Sequence, residues 1–154
     1  MISIAITAGL RARIYAHARR CFPAECCGYL RGPEAVDEIV ECRNAHADGD
    51  HPTTPDRGED SAFVIAGAEL IAFARSFDTP SPARVVYHSH TNGRAYFSAV
   101  DRDVATANGG PTYPVQHLVV GLTATTIIEA AQFAWDGAAH DWVEVARWPI
   151  AESR

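Results

Sequence analysis

At 154 residues the chain has the length of one domain with room for one sizeable core, and its 47% hydrophobic and 21% charged residues are those of an ordinary globular protein. A formal charge of −6 gives nucleic acid or an anionic membrane nothing to bind. No run of about 18 apolar residues occurs, and the start, Met-Ile-Ser-Ile-Ala-Ile-Thr, lacks the basic, long apolar form of a secretory leader. The expectation is a single domain over 1–154, in the cytoplasm, with no nucleic acid and no membrane as partner.

Residues 2–6 are short, apolar and partly β-branched, and read as a first strand. Thr7 then caps a helix to about Cys21, with Leu10, Ile14, Ala18 and Cys21 on one face and Pro23 ending it. Residues 25–30 read as a buried strand broken by Gly32-Pro33, and 36–42 as its hairpin partner. The polar 44–60 stretch, with Pro52, Pro55 and Gly58, is a long loop, of a length that often carries function. A short strand over 61–65 precedes a helix with Leu70, Phe73, Ala74 and Phe77 on one side. After a proline-rich turn, 84–89 read as a central strand and 91–97 as a loop. Ser98 opens a helix that stops near Asn108-Gly109-Gly110. Residues 115–122, 125–135 and 142–148 close the chain as three strands. The fold class is α/β (α+β): a mixed central sheet flanked by about three helices.

The four cysteines, Cys21, Cys26, Cys27 and Cys42, show no Cys-x-x-Cys spacing and read as small buried hydrophobes in a reducing compartment. All 13 basic residues are arginine, which an Arg-favouring coding bias explains; avoidance of lysine modification is the functional alternative.

Chemistry concentrates in His88-Ser89-His90, followed after seven residues by Ser98-Ala99-Val100-Asp101. On a strand, residues i and i+2 share a face, so His88 and His90 can present two imidazoles side by side. Asp101 falls in the first turn of the next helix. Two nitrogens and one oxygen make a usual set for catalytic zinc, with the fourth position left to water. Each part also has an ordinary role: a strand histidine in a core, and Ser98-x-x-Asp101 as a capping box. Zinc lowers the pKa of its water to roughly 7, so a nearby carboxylate can take the proton. Glu25, at the head of an otherwise apolar strand, is the candidate, against the ordinary reading of a solvated strand-end glutamate.

The run Pro23-Ala24-Glu25-Cys26-Cys27-Gly28-Tyr29-Leu30, followed by His88-x-His90-x7-Ser98-x2-Asp101, resembles the signature of the JAMM (MPN+) metallopeptidase family. Asn44 and residues 61–65 look like its compact bacterial members, and the resemblance covers residues 2 to 135. It implies the MPN/JAB, cytidine-deaminase-like fold and one zinc ion per chain held by His88, His90 and Asp101. It further implies Glu25 as general acid/base and Ser98 as support for the oxyanion. The implied substrates are peptide or isopeptide bonds after the C-terminal tail of a ubiquitin-like or sulfur-carrier protein, with E1- and E2-like conjugation enzymes as further partners. Thr91 and Phe97 depart from the family, each standing where proline is frequent. The alternative is a non-catalytic MPN scaffold, although such modules typically lack some of the five positions present here.

Other zinc patterns are absent: there is no His-x-Glu with Pro-Cys-x-x-Cys and no His-Glu-x-x-His. His17 and His117 read as structural residues, and His46, His51 and His140 as solvated surface.

Overall fold

The computed structural model describes residues 2–45 and 63–150. Its helices are α1 (Ala8–Cys21), α2 (Gly67–Ser76) and α3 (Ala99–Ala105). Its strands are β1 (Cys27–Arg31), β2 (Glu38–Cys42), β3 (Ala83–His90), β4 (Thr106–Ala107), β5 (Gly110–Pro111), β6 (Gln116–Leu122), β7 (Ile127–Asp136) and β8 (Asp141–Pro149). Six of the strands form one sheet in the order β2-β1-β3-β6-β7-β8. Only β3 and β6 run parallel; every other neighbouring pair is antiparallel. This is the expected mixed sheet with three helices. Among the described residues, no helix is long and apolar enough to cross a membrane.

Two layers of side chains cover the sheet. Thr7 caps α1 by accepting the Leu10 N–H, and the stripe Leu10, Ile14 and Ala18 buries against Leu30, Val85, Tyr87, Leu118 and Val120. Side chains the size of Leu10 and Ile14 each contribute about 1.5–3 kcal/mol when fully buried. The opposite face carries two clusters. Phe73 of α2 packs on Cys27, Tyr29 and Val86, while Phe97 and Ala105 pack on Val119, Phe133 and Trp142 beneath α3. At Gly28 the backbones approach so closely that a Cβ would strike the Val40 carbonyl and the Tyr87 ring.

Several elements depart from the expectations. Residues 2–6 form no strand. The strands over which they lie are already paired on both edges, and two glutamine amides stand in for a ladder. Gln116 accepts the Ile4 N–H at 2.9 Å and donates to the Ile2 carbonyl at 2.9 Å, while Gln132 donates to the Ile4 carbonyl at 2.9 Å. Residues 63–65 are not a strand either, and 61–62 lie outside the described residues, as do His46, His51 and nearly all of the 44–60 loop. α3 ends at Ala105, earlier than expected. The Asn108-Gly109 pair, at φ 55° and 78°, folds β4 and β5 into a small hairpin.

Candidate metal centre

β3 lies inside the sheet between β1 and β6, and its last residues alternate faces. Ser89 turns toward the α1 side, where its buried Oγ accepts the Cys26 N–H at 2.8 Å. Its own N–H donates to the Cys26 carbonyl at 3.2 Å. The β1–β3 register, with Cys27 opposite His88, therefore continues one step further and sets Glu25 level with His90. Glu25 is 4% exposed, and its charge helps to raise the pKa of His88.

His88 and His90 occupy the other face, 0% and 6% exposed. The His88 ring stacks on Phe63 with centroids 4.4 Å apart. Asp101 arrives from the first turn of α3. Ser98 caps that helix: its Oγ accepts the Asp101 N–H at 3.0 Å, while its N–H donates to Asp101 Oδ2 at 2.9 Å. The capping box thereby aims the carboxylate. Oδ2 lies 3.2 Å from His88 Nε2 and 3.1 Å from His90 Nε2, and those two nitrogens are 3.2 Å apart. Among the described residues this is the one group of three or more such side chains whose donor atoms all lie within 4.8 Å of one another.

A triangle of that size fits a metal. Zinc bonds of about 2.0–2.1 Å in a tetrahedron place neighbouring donors about 3.4 Å apart. The tautomer fits as well. With Nε2 given to a metal, the imidazole proton sits on Nδ1, and the Arg94 carbonyl 3.3 Å from His90 Nδ1 is there to accept it.

The charges follow from the packing. Burial disfavours the Asp101 carboxylate, but His88 and His90 outweigh it and hold its pKa far below the usual range. Burial also disfavours protonated His88, yet Asp101 overrules it and raises the pKa. For His90, burial wins and the pKa is lowered. The cluster is thus an Asp101 anion beside a protonation-prone His88 and a neutral His90.

The family model for prokaryotic homologs of the JAB domain matches residues 7–136, a span containing Glu25, His88, His90, Ser98 and Asp101. The chain belongs to this family. Similar curated proteins are the CysO-cysteine peptidases of Mycobacterium tuberculosis and Mycobacterium bovis. Each is 34% identical over 103 residues, which are 67% of this chain and 66% of theirs. The match thus spans just under two thirds of those relatives. Among solved structures, a protein of Desulfitobacterium hafniense aligns with TM-score 0.60 at 21% identity, covering 90% of this chain and 87% of its own. A protein of Salinibacter ruber aligns with TM-score 0.60 at 18% identity, over 91% and 87%. At these identities the likeness shows the fold alone.

Within this JAB domain three further residues frame the site: Asn44 and Phe97, which the resemblance already singles out, and Tyr96, which nothing in the sequence announces. Asn44 Nδ2 donates to the Glu25 carbonyl at 3.0 Å, and its Oδ1 accepts the Val64 N–H at 3.0 Å. One buried side chain thereby ties Glu25, two residues ahead of β1 rather than on the expected 25–30 strand, to the segment whose Phe63 covers His88. Tyr96 lies against the His90 ring at 4.7 Å. Phe97 is 3% exposed and fills the aromatic cluster with Phe133 and Trp142.

The remaining histidines and cysteines are structural or peripheral. His17 Nδ1 pairs with the Tyr87 hydroxyl at 2.6 Å. His117 sits among Phe97 and Trp142, with Nδ1 unpartnered among the described residues. His140 occupies the β7–β8 turn at φ 52°. All four cysteines are free; Cys26, Cys27 and Cys42 are buried, and burial pushes their thiol pKa values up, which leaves them unreactive.

Proposed function

We propose that this JAB-family chain is a zinc metallopeptidase that cuts the peptide or isopeptide bond following the C-terminal tail of a small sulfur-carrier or ubiquitin-like protein. The mutual spacing of His88 Nε2, His90 Nε2 and Asp101 Oδ2 carries this reading. The name of the mycobacterial relatives, CysO-cysteine peptidase, favours a sulfur carrier as substrate. Cytoplasmic action alongside E1- and E2-like enzymes belongs to the same proposal, and the four free cysteines suit a reducing compartment.

His88, His90 and Asp101 would hold the ion. A bound zinc ion supplies a Lewis acid for the scissile carbonyl and a water whose pKa is roughly 7. Glu25 is the general base that takes the proton from the attacking water and then returns it to the leaving amine. Its surroundings suit that role, since the Asn44 amide fixes its backbone and burial strengthens its electrostatic action on the site. Ser98 has a second duty. Its Oγ accepts the Asp101 N–H, which leaves its hydroxyl hydrogen for the oxygen on which charge develops.

Mass spectrometry after incubation with a carrier protein bearing a C-terminal extension tests this directly. The intact chain should release the extension, whether a single residue, a longer peptide or a lysine-linked branch. Glu25→Gln should keep its zinc and lose about 10²-fold or more in rate. Full activity in that variant would remove Glu25 from the mechanism. A chain that neither binds zinc nor cleaves would be the non-catalytic scaffold instead.

A further inference from the structure

The peptide group joining Arg94 to Ala95 is gripped at both ends. Its carbonyl faces His90 Nδ1 at 3.3 Å, and its N–H donates to Glu129 Oε2 at 2.8 Å. The carbonyl and N–H of a trans peptide point in opposite directions within one plane, so a carboxylate that fixes the N–H also fixes where the carbonyl aims. Glu129 is itself held in place. Arg147 Nη1 lies 2.9 Å from Glu129 Oε1, and Arg147 Nη2 donates to the Ala95 carbonyl at 2.9 Å. Glu144 grips the same guanidinium through two bonds of 3.0 and 2.8 Å.

The surrounding backbone makes room for this arrangement. A Cβ at Gly121 would stand 2.6 Å from backbone atoms of Arg94, so only glycine lets the 91–97 segment lie this close to β6. Gly93 then donates to the Leu122 carbonyl at 3.0 Å, and Ala95 is 1% exposed.

We propose that Glu129, braced by Arg147, is a positioning residue for His90, acting through the Arg94–Ala95 peptide as a relayed carboxylate–histidine pair. A carboxylate bound directly to a ligand histidine fixes its tautomer and raises its basicity. Here the peptide transmits both effects. The anion polarises the N–H, the carbonyl becomes a stronger acceptor, and His90 keeps its proton on Nδ1 and its lone pair on Nε2. Burial works against the Glu129 anion, but the Ala95 N–H and Arg147 outweigh it and keep the carboxylate ionised.

This inference rests on the reading of His90 as a zinc ligand, and two readouts on the full chain separate the two. The first is zinc affinity by competition with a chromogenic chelator. Glu129→Ala should weaken binding about tenfold or more, and Glu129→Gln, which keeps an acceptor but loses the charge, should fall between it and the unaltered chain. Thermal unfolding of the metal-free proteins, run in parallel, corrects for any unfolded fraction. The second is the nitrogen NMR spectrum of the His90 ring in the metal-free chain. Asp101 at 3.1 Å draws the proton to Nε2 and the Arg94 carbonyl at 3.3 Å draws it to Nδ1, so the share carried on Nδ1 should be larger in the unaltered protein than in Glu129→Ala. Zinc affinity in Glu129→Ala equal to that of the unaltered chain, or an unchanged tautomer, would overturn the relay. If the unaltered chain takes up no zinc, the peptidase reading falls, and the tautomer alone decides the relay.

Discussion

His117 shows how a single buried side chain links stability to pH. Burial pushes its pKa down to about 3, His88 adds to the effect and Asp101 opposes it. The unfolded chain protonates this histidine near pH 6.5, whereas the folded chain keeps it neutral until about pH 3. Between those values the unfolded state binds more protons, so stability falls as the pH falls. From pH 7.5 to 5 this one group costs about 2 kcal/mol. His17, also lowered by burial, acts in the same direction, while His88, raised by Asp101, acts against it. The comparison that isolates His117 is therefore between variants. Urea unfolding at both pH values should show His117→Phe losing about 2 kcal/mol less than the unaltered chain. Equal losses would mean that His117 protonates in the folded state.

At the scale of elements, α3 depends on its cap. Seven residues are too few for a helix to stand alone, so Ser98 and the packing of Ala105 hold it in place. Ser98→Ala should cost about 1 kcal/mol of stability, or about 3 °C in Tm, and kcat should drop about 10²-fold as the oxyanion donor is lost. Ser98→Asp restores a cap without a donor, so it should recover the stability and not the rate. Recovery of both would reduce Ser98 to a structural residue. The same helix shows what the sequence displays and what it conceals. The Ser-x-x-Asp start is plain, because a capping box is local chemistry, and so is α1, because Leu10, Ile14 and Ala18 recur at helical spacing. The end of α3 is hidden because Asn108-Gly109 forms a hairpin turn of its own rather than a mere stop. Residues 2–6 have the composition of a strand but find side-chain partners more than 100 positions away, which no local pattern encodes. Spacing alone pairs His88, His90 and Asp101; it cannot pair Asn44, Phe63, Glu129 and Arg147, because only the sheet brings them to the site.

At the scale of the whole molecule, the site forms where the two parallel strands end together. β3 and β6 run side by side, with His90 opposite Gly121. The missing side chain at Gly121 lets the following segment turn back over the sheet and deliver α3 to the histidines. The residues just before β1 supply Glu25 from the other flank, and Phe63, Tyr96 and the start of α3 close over the histidines so that the cluster is largely buried. A metal bound only by this folded arrangement stabilises it, by about 4 kcal/mol when free zinc is about 1,000 times its Kd. Elemental analysis of the purified chain after exhaustive dialysis addresses the site most directly. The unaltered protein should retain about one zinc per chain, as expected for a single three-residue donor set, and His90→Ala and Asp101→Ala should each lose it. An unaltered chain without zinc, or variants that retain as much as the unaltered chain, would contradict the site.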